Sequence, residues 1–192
     1  MADTRYTWGE LKAGLRDLHE QNPDFLSKAI LVGGAACMFY RAVLARSQSP
    51  LFPVPDPGPE GEAAWLSKDV DFTHVQREDL PASPIIPLGL LQSGVRLSAL
   101  DYAETVRTSA LEFEDGCIVP ILVADPLELY REKQACVAKL RRPQDQVHLD
   151  LLEVYLAFEL DLARKSNDPG ERIALEARYQ NYAPEILSRV VG

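Results

Sequence analysis

Little in this chain ties it to an oxidising compartment, a membrane or a nucleic-acid backbone. Its three cysteines, Cys37, Cys117 and Cys136, are odd in number and show no C-x-x-C spacing. That argues against a disulfide framework and against a zinc knuckle, and leaves them as small buried hydrophobes. No apolar run reaches the roughly 20 residues of a membrane span. The opening "MADTRYTWGELKAGL" has neither the basic start nor the apolar stretch of a secretory signal. The expectation is a cytoplasmic protein without a membrane partner. Basic residues are also scarce: 20 Lys plus Arg stand against 29 Asp plus Glu, a net charge of −9. A large RNA surface is therefore not favoured as partner, although a local basic groove remains compatible with this balance. The three histidines, His19, His74 and His148, have no ligand spacing, so none is assigned to metal or to acid–base work.

What is present fits one ordinary globular domain, or a small core with an appended helical part. Thr7 as N-cap and Glu10 at N3 open an amphipathic helix with Leu11, Leu15 and Leu18 on one stripe, ended by Asn22-Pro23. In "KAILVGGAACMFYRAVLARS" the apolar strand from about Ala29 to Val32 runs through Gly-Gly into a helix apolar on nearly all faces. From 48 to 62 five prolines and two glycines predict an irregular, mobile loop. A strand resumes at Lys68, and a helical-looking stretch extends to about Thr108. A hairpin follows across Asp115-Gly116, the favoured two-residue turn. "ADPLELYREKQACVAKL" then starts a helix by the rules, with Asp125 as N-cap, Pro126 at N1 and Glu128 at N3. A further helix is expected over about 145–165, with Val147, Leu151, Val154, Tyr155, Phe158 and Leu162 on its apolar face, and a last one over much of 171–191.

The chemistry concentrates in "WLSKDVDFTH". Alternation along a strand sends Asp69 and Asp71 to one face while Val70 and Phe72 point into a core. Two carboxylates that close repel, unless water dilutes the repulsion, one keeps its proton, or a cation sits between them. Upstream, Gly33-Gly34 stands where a strand passes into a helix, and there glycine lets a phosphate approach the free N–H groups of the helix start. Each feature has a plainer reading: a tight turn for the glycines, a solvated edge for the aspartates. Lys133 interrupts the stripe of Leu129, Cys136 and Leu140, and either snorkels to water or turns inward. Arg141-Arg142 beside Asp145 reads as surface charge and capping.

Taken together, "LVGGAA", "LSKDVDF" and the run from "VPILVADPLELYREKQACVAKL" through "RRPQDQVHLDLLEVY" resemble the nucleotidyltransferase superfamily with the DNA polymerase beta-like catalytic fold. The likeness is nearest to small bacterial AbiEii-type members of toxin-antitoxin systems, and it covers roughly residues 30–155. The resemblance implies an α+β fold: a short mixed sheet flanked by helices over 1–125, with a C-terminal helical segment over 126–192 packed on it. It implies that Gly33 and Gly34, with Lys68 beside the pair, bind a nucleoside triphosphate. It implies that Asp69 and Asp71 hold Mg²⁺ or Mn²⁺, and that Lys133 approaches the nucleotide or the carboxylates. For the third acidic residue of that family, "VRLSALDY" offers Ser98 at the matching place and Asp101 nearby, with Glu112 or Glu114 on the hairpin as fallbacks. Two functions follow. One is a metal-dependent transferase moving a nucleoside monophosphate to a hydroxyl on a small molecule, a protein or an RNA end. The other is a catalytically degenerate relative that binds nucleotide or a cognate protein partner.

Overall fold

The computed structural model describes residues 5–58, 62–73, 80–81, 86–90 and 106–189. Within them five strands form one mixed sheet in the order β3-β2-β1-β5-β4, flanked by six helices. The strands are β1 (Ile30–Val32), β2 (Val70–Thr73), β3 (Leu88–Leu90), β4 (Val106–Glu112) and β5 (Ile118–Ala124). The helices are α1 (Trp8–Gln21), α2 (Gly33–Ser47), α3 (Pro126–Leu140), α4 (Pro143–Lys165), α5 (Pro169–Tyr182) and α6 (Pro184–Arg189). The α+β class expected from the sequence is what forms.

The middle strand, β1, is buried at all three positions, as its unbroken apolar run requires. It pairs antiparallel with β2 and parallel with β5. β2 pairs parallel with β3, and β4 antiparallel with β5. Leu31 and Phe72 face each other across β1 and β2, and Phe72 meets Phe25 edge-on with ring centroids 5.1 Å apart. The helices close over this layer: the Tyr40 hydroxyl of α2 donates to the Ala124 carbonyl at 2.8 Å, tying the buried helix to the end of β5.

Capping follows the sequence rules. Thr7 and Glu10 form a reciprocal capping box at α1, and Asp125 caps α3 with Pro126 in its first turn. Asp125 does more than cap. Its carboxylate also accepts from Arg107 Nε at 2.7 Å and Arg178 Nη2 at 3.1 Å, while Arg107 reaches Glu159 at 3.0 Å. Strand β4 and helices α3, α4 and α5 are thereby clamped around one buried carboxylate.

Four expectations need correction. Val106–Thr108 belongs to β4, so the helical reading does not extend that far. The hairpin turn closes between Phe113 and Cys117 rather than around Asp115-Gly116 alone: Phe113 N–H donates to Cys117 O at 2.9 Å and Gly116 takes a positive φ of 83°. The intervening three residues make a wider turn than a two-residue loop. In α4 the buried face includes Asp145, Leu149, Leu151, Leu152, Leu156 and Leu160; of the anticipated stripe Leu151 is buried and Val147, Val154, Tyr155 and Phe158 pack part-buried against the core, whereas Leu162 is 51% exposed. The last helix breaks at Ala183 before Pro184, which cannot continue the hydrogen-bond ladder. The proline-rich passage is irregular over 48–57; even so, Phe52 packs against Phe158 at 5.9 Å and Val54 rests on the core.

Candidate functional site

Register brings the two motifs together. Asp71 lies opposite Val32 in the β1–β2 pairing, and Val32 is the residue before Gly33. The chain leaves β1 through Gly33 at φ +66°, a left-handed conformation that costs an ordinary L-residue but not glycine. A Cβ there would stand 3.0 Å from Asp71 Oδ2. The α2 start carries no side-chain cap, so its first N–H groups are left for another acceptor. Gly33 and Gly34 are both part-exposed.

The strand alternation holds. Val70 and Phe72 are buried while Asp69 and Asp71 lie part-exposed on the other face. The approach to β2 is fixed by Ser67, which bridges to Tyr6 through two backbone hydrogen bonds of 2.7 and 3.0 Å. The Ser67 hydroxyl donates to the Asp69 carbonyl at 2.8 Å. Across β2, Asp71 pairs in register with Gly89 of β3. A Cβ on Gly89 would overlap Asp71 Oδ1 and lie 3.4 Å from Asp69 Oδ2. The two carboxylates therefore converge over a residue whose missing side chain gives them room.

Their electrostatics match this crowding. Burial, and secondarily the charge of Asp69, push the Asp71 carboxyl up to about 6, with Lys133 opposing. Asp69 is also raised by burial, against the nearby Lys68. Two converging carboxylates that resist being charged together gain most from a shared cation. Hard oxygen donors suit Mg²⁺ or Mn²⁺, so Asp69 and Asp71 fit such an ion. Among the described residues no group of three or more His, Cys, Asp and Glu side chains is placed to hold a metal.

Lys133 does not snorkel. It is 7% exposed, with Nζ 2.8 Å from Asp145 Oδ1, while Arg142 Nε holds the other oxygen at 2.6 Å. Asp145 is fully buried; burial opposes its charge, but the two cations outweigh it and leave the carboxyl below the usual range. Arg142, itself exposed, is thus one of two cations holding a buried carboxylate, not surface charge alone. Lys68 is exposed beside the pair. Ser98, Asp101 and His74 lie outside the described residues. The fallback acids are not at the site: Glu112 and Glu114 are exposed at the turn end of the β4–β5 hairpin. Two strands separate that hairpin edge from β2.

One neighbour escaped the sequence reading. His148, buried on α4, brings Cε1 to 3.6 Å from a Cβ position on Gly34, as does Ser67 Oγ, and its ring lies 5.5 Å from that of Trp65. A lone histidine over a hundred residues from the glycines gives no spacing signal; only the packing of α4 onto α2 brings it there. Comparison with protein-family models, with curated proteins and with solved structures finds no match, so the nucleotidyltransferase likeness rests on the residues and geometry just described.

Proposed function

We propose that this chain is a metal-dependent nucleotidyltransferase, transferring a nucleoside monophosphate from an NTP to a hydroxyl acceptor on a small molecule, a protein or an RNA end. A role in a toxin-antitoxin pair is part of the same reading. The observation that supports it is the convergence of Asp69 and Asp71 beside the left-handed Gly33 turn and the uncapped α2 start. In this reading the N–H groups of Gly33 and Gly34 bind phosphate oxygens, and the dipole of α2 favours their charge. Lys68 adds a flexible positive charge at the mouth of the site. Asp69 and Asp71 hold Mg²⁺ or Mn²⁺, which when bound neutralises the triphosphate and polarises the attacking hydroxyl. The acceptor oxygen bonds to the α-phosphorus as the α–β phosphoanhydride bond breaks, pyrophosphate departs, and the hydroxyl proton passes to water or to a third carboxylate. Lys133 acts from behind: locked to Asp145, it sets a fixed positive potential under Asp71.

Gly89 favours a second reading. It occupies the place opposite Asp71 on β3, so this strand adds no carboxylate at that register, and a protein that binds nucleotide or a protein partner without turnover would need none. Transfer of label from α-³²P NTPs onto acceptors in a cell extract separates the two. The transferase reading expects Mg²⁺-dependent labelling that Asp71→Asn abolishes; NTP binding without labelling would leave the binding protein.

A further inference from the structure

Helices α4 and α5 are joined by Arg164 and Glu176 at 2.9 Å and by the Tyr179 hydroxyl, which donates to Glu159 at 2.7 Å. Between them and the start of β4 they leave a cavity of about 470 Å³. Helical spacing builds its walls: Tyr155, Phe158 and Leu162 come from one face of α4, Leu175 and Arg178 from one face of α5. Arg107 of β4 and Glu159 complete the polar part of the lining. Behind the two arginines the Asp125 carboxylate accepts from Arg107 Nε and from both Nη atoms of Arg178, while Arg107 Nη2 stands 3.0 Å from Glu159. Three donors remain, Arg107 Nη1, Arg178 Nε and the Tyr155 hydroxyl. None of them has a hydrogen-bond partner among the described residues, and none is a buried atom. All three side chains line the cavity.

These groups offer donors without offering net charge. Among the lining residues Arg107 and Arg178 are matched by Glu159 and the exposed Glu171, and Asp125 adds a further negative charge behind them. Burial raises the Tyr155 hydroxyl above its usual range, so it stays a neutral donor. An anion brought into this cavity loses its hydration and meets no excess of positive charge, and an ammonium ion meets donors where it needs acceptors. The volume falls within the range of small-molecule sites, whose usual make-up is an apolar lining with a few convergent polar groups. We propose that this cavity binds a small neutral ligand carrying a carbonyl acceptor, such as an amide, on an apolar body. The carbonyl accepts from the Tyr155 hydroxyl and the guanidinium N–H groups. The body covers Phe158, Leu175 and Leu162, the last of which is 51% exposed. Strands β1 and β5 separate β4 from β2, so the site is distinct from the Asp69–Asp71 pair and stands whether or not that pair supports transfer.

The test is calorimetric titration of the full chain with N,N-dimethylhexanamide, which accepts hydrogen bonds and donates none, and in parallel with heptanoate and hexyltrimethylammonium as ions of similar length. The amide is expected to bind saturably and about tenfold or more tightly than either ion. Tyr155→Phe keeps the ring and removes one donor, and should weaken the amide several-fold. Leu162→Glu places a charge on the exposed apolar wall, where the fold does not depend on the leucine, and should weaken it about tenfold or more. Thermal melts of both variants confirm that they are folded. The proposal is overturned by an absence of saturable amide binding to the wild-type protein, by an affinity for either ion that equals or exceeds that for the amide, or by amide binding that either substitution leaves unchanged. If Tyr155→Phe does not fold, Leu162→Glu decides: unchanged amide affinity there places the binding elsewhere and rejects the site.

Discussion

Asp71 on β2 and Gly89 on β3 are in register, and the carboxylate of the first occupies the space where the second has no side chain. The atoms nearest a methyl group at Gly89 are the carboxylate of Asp71 and Asp69 Oδ2, so the carboxylate is the first group that has to yield. Gly89→Ala is therefore expected to leave stability within about 1 kcal/mol of wild type, because lost packing is offset by reduced freedom of the unfolded chain. The same change should weaken Mg²⁺-dependent NTP binding by roughly tenfold or more by splaying the pair. Thermal melts alongside binding measurements check both halves. A large loss of stability with unchanged binding would show that the glycine serves the strand and not the pair.

Asp71 also sets a pH dependence in the metal-free protein. Its carboxyl is raised to about 6 by burial and then by Asp69, above the roughly 3.9 of an unfolded aspartate. Between those values the folded state holds the proton more tightly, so stability falls as pH rises through this window and the penalty is complete above it. With the side chain part-exposed, the penalty at neutral pH is about 1–2 kcal/mol. Asp71→Asn should remove it. Chemical denaturation in the presence of a chelator should find the variant more stable than wild type at pH 7 and equal to it near pH 4.

The Lys133–Asp145–Arg142 triad makes the opposite kind of prediction. Asp145 is buried between two cations, and removing Lys133 leaves its charge half-compensated. Lys133→Met should cost about 2–4 kcal/mol, somewhat less than breaking a simple buried pair because Arg142 remains. Adding Asp145→Leu to that variant should restore part of the loss. Urea denaturation of the two variants gives the answer; a double variant no better than the single would mean that packing, not charge, dominates there.

Asp125 offers a separable test of its two roles. Asn at this position can still accept from the Leu127 N–H that Asp125 Oδ1 now receives at 3.0 Å, but it cannot neutralise Arg107 and Arg178. Asp125→Asn should therefore cost about 1–3 kcal/mol through the ion pairs alone. Asp125→Ala should cost about 1 kcal/mol more, the usual worth of an N-cap. Equal losses in the two variants would assign the whole effect to the charge.

Local chemistry was legible in the sequence, and long-range placement was not. The capping box of Thr7 and Glu10 and the Asp125-Pro126 start follow from side chains acting on their own backbone, so the residues announce them. The facing of Asp69 and Asp71 follows from strand alternation for the same reason. By contrast, the burial of Lys133 depends on Asp145 twelve positions away, and His148 reaches Gly34 only through helix packing. The α4 face was legible only in part, with Leu151 buried as expected and Leu162 exposed, because its apolar residues nearly encircle the helix and the buried polar pair Asp145 and His148 helps mark the inner side. Gly89 carried no motif at all; its meaning comes from the strand beside it.

The most direct test of the central claim is calorimetric titration of Mg-NTP into the wild-type chain and into the Asp69→Asn, Asp71→Asn double variant. Asn keeps the shape of each side chain and removes the charge that a divalent ion needs. The account predicts metal-dependent binding to the wild type, lost in a double variant that is folded and at least as thermally stable. Equal affinity in the two proteins, or binding to neither, would contradict it.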